Sequence, residues 1–407
     1  MNPSASGWIP KLLTLVEKQQ ITAVASNEFL FYNELKNVGF IYGISIDILL
    51  NKPISKLTFT TDEYTKINLF HSLLFTFFIK YPKAEINEAI ESIINFYKTI
   101  DKGKTSFFKK LSLSNSSTDN LEQIISARLQ ESNTISKYKP SSTLTYSLLF
   151  LDVLAFKNYL NNHHYLKTYT QKLESDLINF CFLALKAKSE KEKIDFQIIE
   201  LLESSSAYLT INNNQSYFYS LDTILTDINY NTLEKKYIFD LCCLAVWDDR
   251  KLDASEFQFL KQLTLLLNFS EKNIENTIRH IEKFSEEHSK TVKLFEYSNH
   301  IQQFYKNSTE TVKLLILRNK NRLIKELEES GELVKLLGQS TLRELTTEEK
   351  DKVKEQLIDI CKSVPSLTIF LIPGGSLLLP LLVKYIPSLL PSAFQENRIV
   401  NKKKINK

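Results

Sequence analysis

Four carboxylates crowd one short stretch, WDDRKLDASEF, as Asp248, Asp249, Asp253 and Glu256. Oxygen ligands delivered from a single loop are what a hard divalent cation takes, so Asp248, Asp253 and Glu256 are the candidate metal ligands of the chain. A mechanical reading competes with that one. Asp253 with Glu256 three residues later is a capping box, in which each side chain satisfies a backbone N–H left open at a helix start. Calcium loops also need more ligands and a glycine for the sharp turn. Helix capping is therefore favoured, a divalent cation is the alternative, and no other cofactor is expected.

No second chemistry stands out. His163 and His164 are adjacent and cannot point the same way on a helix, while His280 and His288 lie eight apart among acidic neighbours. Histidines so placed are packing or surface residues more often than ligands. The chain contains no G-x-S-x-G, H-E-x-x-H, P-loop or G-x-G-x-x-G pattern, so no catalytic apparatus is legible and a non-enzyme is expected. Cys181, Cys242, Cys243 and Cys361 lie in apolar stretches without C-x-x-C spacing. They read as small buried hydrophobes in a reducing compartment.

The elements that must carry these residues are helical. Glycine is scarce, 8 residues in 407, while 43% of the chain is apolar, and Leu, Ile, Lys and Glu recur at spacings of three and four. That pattern predicts an all-α protein of multi-helix bundle domains with real cores. A net charge of +4 gives no bulk attraction for DNA. Basic charge is uneven and gathers in the last residues, NRIVNKKKINK, with Arg398, Lys402, Lys403, Lys404 and Lys407.

Breaks in periodicity divide the chain into an N-terminal helical domain, 1–111, and a second helical domain, 120–206, separated by the serine-rich SLSNSSTDN. A third module spans 218–300, a connecting long helix 301–345 follows with interruptions near Gly331 and Gly338, and a terminal segment covers 346–407. In the first domain, Ile86, Ile90, Ile93 and Ile94 share one helical stripe. INLFHSLLFTFFIK is too short to cross a bilayer and reads as a buried helix. In the third module, Ile238, Leu241, Cys242 and Ala245, then Phe259, Leu263 and Leu266, then Ile274, Ile278 and Ile281 mark three short amphipathic helices. Its acidic turn resembles the TerB-like family of small helical modules. Asp248, Leu252, Asp253 and Glu256 fit that family's pattern, and Asp249 stands where its glycine usually does. The resemblance implies an acidic surface for metal or partners, and the missing glycine weakens the metal option.

The terminal segment is the most unusual part of the chain. Thr346 and Glu349 form a second capping box ahead of Val353, Leu357, Ile360 and Cys361, and Pro365 ends that helix at Val364. No charged residue then occurs until Lys384, whose stem can reach an interface. The uncharged run is close to the about 20 residues a membrane helix needs. Pro373-Gly374-Gly375 breaks it, and Pro380 follows. A continuous helix through that break would lose about 3 kcal/mol at the proline and about 1 kcal/mol at each glycine, and in lipid the freed backbone groups need partners. Three readings stay open: a kinked span, a re-entrant helical hairpin turning at Gly374-Gly375, and an apolar hairpin buried against the protein's own body.

Val364-Pro365, Pro373, Leu379-Pro380, Lys384, Pro387, Leu390-Pro391-Ser392 and Phe394 together resemble the membrane-segment signature of the LETM family, the leucine zipper and EF-hand containing transmembrane proteins. That resemblance makes Val364, Pro365, Pro373, Gly374, Gly375, Pro380, Lys384, Pro387, Pro391 and Phe394 the residues of interest. It implies a lipid bilayer as one partner, a ribosome or membrane proteins as others, and roles in cation homeostasis, ribosome binding or membrane-protein biogenesis. The sequence stops soon after Phe394, short of the leucine zippers and EF-hand of that family. The N-terminus shows neither a secretory signal nor a transit peptide, so a bacterial-type relative is expected, membrane-associated with the bulk of the chain cytoplasmic. The basic tail suits an anionic leaflet. A cation/proton exchanger subunit is a further alternative, and it would require homo-oligomers because Ser366, Thr368, Ser376 and Lys384 are the only polar groups within the segment.

Overall fold

The computed structural model describes residues 1–50, 54–103, 116–134, 146–161, 164–189, 230–247, 252–288, 319–339 and 346–362. Among them the regular elements are all α-helices, so the all-α expectation holds. In chain order they are α1 (Trp8–Leu15), α2 (Lys18–Thr22), α3 (Glu28–Asn37), α4 (Thr61–Lys80), α5 (Ile86–Ile100), α6 (Ser117–Thr134) and α7 (Phe150–Leu160). There follow α8 (Leu166–Ala187), α9 (Thr232–Val246), α10 (Ala254–Leu267), α11 (Lys272–Glu287), α12 (Lys320–Glu329), α13 (Gly331–Gln339) and α14 (Thr347–Lys362). Two compact units result. One holds Met1 with 9–107 and 114–300, the other 2–8, 108–113 and 301–407.

The larger unit is built around α4. Its start is fixed by a capping box in which Glu63 N donates to Thr60 Oγ1 at 3.3 Å and Thr60 N to Glu63 Oε2 at 2.8 Å. From Ile67 to Phe78 every residue of α4 is buried, because α2, α5, α6 and α7 all pack on it. INLFHSLLFTFFIK is thus a core helix, and among the described residues no helix is long and apolar enough to cross a membrane. On α5 the buried stripe is Ala89, Ile90, Ile93, Ile94 and Tyr97, each large member stabilising by about 1.5–3 kcal/mol relative to exposure.

Helix α8 packs against α5, α7, α9 and α10, and α9 also meets α10 and α11. That enclosure changes the reading of α9. Instead of one apolar face, everything from Tyr237 to Val246 is buried, Cys242 and Cys243 included as free thiols along with Cys181 on α8. On α10 the buried apolar residues are Phe259, Leu260, Leu263 and Leu267, a stripe one position away from the predicted Leu266. Ile274 and Ile281 of α11 are buried as expected. After α3 the chain turns sharply at Gly39, with φ +79°, where a Cβ would lie 2.1 Å from the Ile44 carbonyl oxygen. Only glycine fits that approach.

The smaller unit contains α12, α13 and α14, which pack pairwise on one another. The long helix predicted over 301–345 is broken at Ser330, between α12 and α13, one residue from the predicted glycine. The C-terminal apolar hairpin or span lies outside the described residues.

Candidate functional site

The described approach to the apolar segment is the three-helix cluster α12–α14. Leu323 and Leu327 on α12, Leu333 and Leu336 on α13, and Val353 and Ile360 on α14 are buried, at the spacings of three, four and seven that place residues on one helix face. The start of α14 is the capping box read in the sequence. Glu349 N donates to Thr346 Oγ1 at 3.3 Å, and Thr346 N to Glu349 Oε2 at 2.9 Å. Glu332 then ties α13 to α14 by accepting from Lys352 Nζ at 3.3 Å and Gln356 Nε2 at 2.8 Å. Those bonds, Lys352 first, hold its carboxyl below the usual carboxylate range. Ser330 Oγ, at the α12–α13 break, donates to Gln356 Oε1 at 3.3 Å. Helix α14 is therefore braced on two neighbours before the chain reaches its proline-broken run. Val364, Pro365, Pro373, Gly374, Gly375, Pro380, Lys384, Pro387, Pro391 and Phe394 lie outside the described residues.

At the acidic turn, Asp253 is the N-cap of α10. Glu256 N donates to Asp253 Oδ1, and Asp253 N to Glu256 Oε2, both at 2.8 Å. The second Asp253 oxygen accepts from Ser189, through its backbone N at 2.9 Å and through its hydroxyl. Desolvation would raise this carboxyl, but the hydrogen bonds from Ser189 and the helix start override it and bring its pKa to about 2. Asp248 and Asp249 lie outside the described residues, and among those described no three His, Cys, Asp or Glu side chains come together as a metal would require. What Asp253 and Glu256 visibly do is start a helix. An open cavity of about 550 Å³ lies alongside, lined by Ala187, Ala254, Ser255, Gln258, Phe259 and Gln262.

The structure also places charges where the sequence reading put none. Asp240 of α9, wholly buried, pairs with Lys36 of α3 at 3.0 Å and with Lys236 at 3.5 Å. Tyr32 Oη donates to the same carboxylate at 2.9 Å, and Thr277 Oγ1 of α11 at 3.1 Å. Burial pushes the Asp240 carboxyl up, and Lys36 followed by Lys236 draws it below its ordinary value. Nearby, His280 Nε2 bonds Asn37 Oδ1 at 2.9 Å, so its Nδ1, 2.8 Å from Tyr42 Oη, is the acceptor of the Tyr42 hydroxyl. Desolvation, then Lys36, lowers the His280 pKa to about 4. A second network joins Arg128, Asp152 and Tyr97. Both aspartates interrupt apolar runs, YIFDLCC and LLFLDVL, and a carboxylate in such a run must find a partner once buried. That was the available signal. These networks hold helices together, with Asp240 and Asp152 wholly buried.

Comparison with known proteins adds one finding and two absences. Residues 345–407 match the family model described as LETM1-like, RBD. No curated protein matches the chain, and no solved structure does. The match begins at the capping box of α14 and takes in every proline on which the resemblance was read. The segment 345–407, which α14 opens, is thus similar to the LETM1-like RBD family.

Proposed function

We propose that this chain is a non-enzymatic, membrane-associated LETM-like protein in which the segment from Val364 to Phe394 engages lipid and residues 345–407 engage a ribosome or a membrane protein. The observation that carries it is the match of residues 345–407 to the LETM1-like RBD model, RBD being taken as a ribosome-binding domain. Three features support the membrane part: no charge from Pro365 to Val383, Lys384 at the edge of the run, and the basic tail beyond it. The proline-glycine break favours a re-entrant hairpin or kinked span over a straight helix. Helices α12–α14 precede the segment, and the larger helical unit recruits partners. Cation homeostasis follows from this placement only if several copies supply polar groups to one pathway.

The test is fractionation. The full chain and a version ending at Lys362 are expressed, and membranes are washed with carbonate. The full chain stays with the washed membranes and the shortened one does not. Full chain recovered entirely in the soluble fraction contradicts the proposal and favours the apolar hairpin folded against the protein itself.

A further inference from the structure

Asparagine is among the best N-cap residues, because its side-chain oxygen can accept from the first free N–H groups of a helix. Asn319 is the N-cap of α12, and its carbonyl accepts from Leu323 N at 2.9 Å, yet its side chain makes no capping bond. Its φ of −102° and ψ of 17° also fall outside the extended conformation that capping uses. The amide is engaged elsewhere. Asn319 Nδ2 donates to Ser4 Oγ at 2.9 Å, and Asn319 Oδ1 accepts from Asn2 Nδ2 at 3.1 Å. Ser4 closes the ring by donating to Asn2 Oδ1, from its hydroxyl at 2.6 Å and its backbone N at 3.2 Å. Ser4 is fully buried and Asn319 nearly so, so breaking one link leaves polar atoms that water does not reach.

From this ring we infer that residues 2–8 are a strap seated on Asn319, which sets the order of α12–α14, the helices that lead into the LETM-like segment. Residues 2–8 belong to the same compact unit as 301–407, although 315 positions separate Ser4 from Asn319. The first turn of α12 gives up its own side-chain cap to hold the strap. The strap thus couples residues 2–8 to the start of α12. It stands independently of ribosome or lipid binding.

Hydrogen exchange of the full chain tests it, read peptide by peptide in wild type, Ser4→Ala, Asn319→Ala and the double variant. Amides of α12 are expected to exchange about fivefold to tenfold faster in either single variant, the scale of one lost buried hydrogen bond, while α4 is unchanged. The double variant should be no faster than the singles, because all three groups share one ring. Asn2→Asp keeps an acceptor for Ser4 but replaces the donor to Asn319 with a carboxylate oxygen facing Asn319 Oδ1, so α12 should exchange faster than wild type in this variant too. Unchanged α12 exchange in the single variants overturns the strap. So does equal acceleration in α4, which would mark general destabilisation, or strict additivity in the double variant.

Discussion

Asp152→Asn isolates the worth of a buried charge, because it keeps the shape of the side chain and most of its hydrogen-bonding atoms. Asp152 is wholly buried, and Arg128, 3% exposed, grips it through Nε at 2.8 Å and Nη2 at 3.0 Å. Tyr97 Oη adds a third donor at 3.0 Å. Arginine cannot shed its proton at any pH the fold survives, so the variant leaves a guanidinium in the interior without this counter-charge. Removing one partner of a buried pair costs about 3–5 kcal/mol, against about 0.2–1 kcal/mol for an exposed pair. The lost charge therefore outweighs the hydrogen bonds that survive. Urea unfolding followed by far-UV circular dichroism should show that loss, with Tm lowered on the order of 10 °C. The double variant Asp152→Leu with Arg128→Met, which removes both charges, should return to within about 1–2 kcal/mol of wild type. A loss below about 1 kcal/mol in Asp152→Asn, or a double variant as unstable as the single, refutes the reasoning.

Other perturbations have equally definite signs. Burial lowers the His71 pKa to about 4 although its Nε2 bonds the Ile21 carbonyl. The unfolded chain then gains a proton near its ordinary pKa of about 6.5 that the folded chain gains only near 4, so stability falls with pH across that window, by up to about 3 kcal/mol. His71→Gln, which keeps a donor toward Ile21, should shrink the difference between urea midpoints at about pH 7 and about pH 5, with His280 supplying part of what remains; an unchanged difference counts against it. Gly39→Ala should cost more than about 2 kcal/mol, since the new Cβ meets a backbone carbonyl at a positive φ, and a thermal melt within 1–2 °C of wild type would contradict the turn geometry. Leu333→Ala, on a fully buried site of α13, should lose about 2–5 kcal/mol. Exchange protection should fall in α12–α14, and loss confined to α4 would contradict the unit assignment.

Sequence reasoning reached the helices through their ends. Asp253 with Glu256 and Thr346 with Glu349 are boxes written in local spacing, and each sits where the pattern puts it; Thr60 with Glu63 has the same spacing and emerged only in the structure. It succeeded less well where a helix is enclosed on all sides. The face predicted on α9 vanishes because α8, α10 and α11 surround it, and periodicity carries no information when every position is buried. Partner choice was the larger gap. Nothing local tells Asp240 to pair with Lys36 or Asn319 with Ser4, since those pairings depend on how distant segments meet. Of the candidate sites, the acidic turn was legible as a cap from Asp253 and Glu256 alone. The proline-spaced segment was legible as a family signature because its information lies in intervals along the chain, which survive without any tertiary context.

The central claim is that residues 345–407 work as a LETM-like RBD segment. Its most direct test is sedimentation of purified ribosomes through a sucrose cushion with the full chain, and with a chain ending at Lys362. The full chain should pellet with ribosomes in saturable fashion and the shortened chain should stay in the supernatant. A full chain that remains in the supernatant, or a shortened chain that pellets equally well, contradicts the claim.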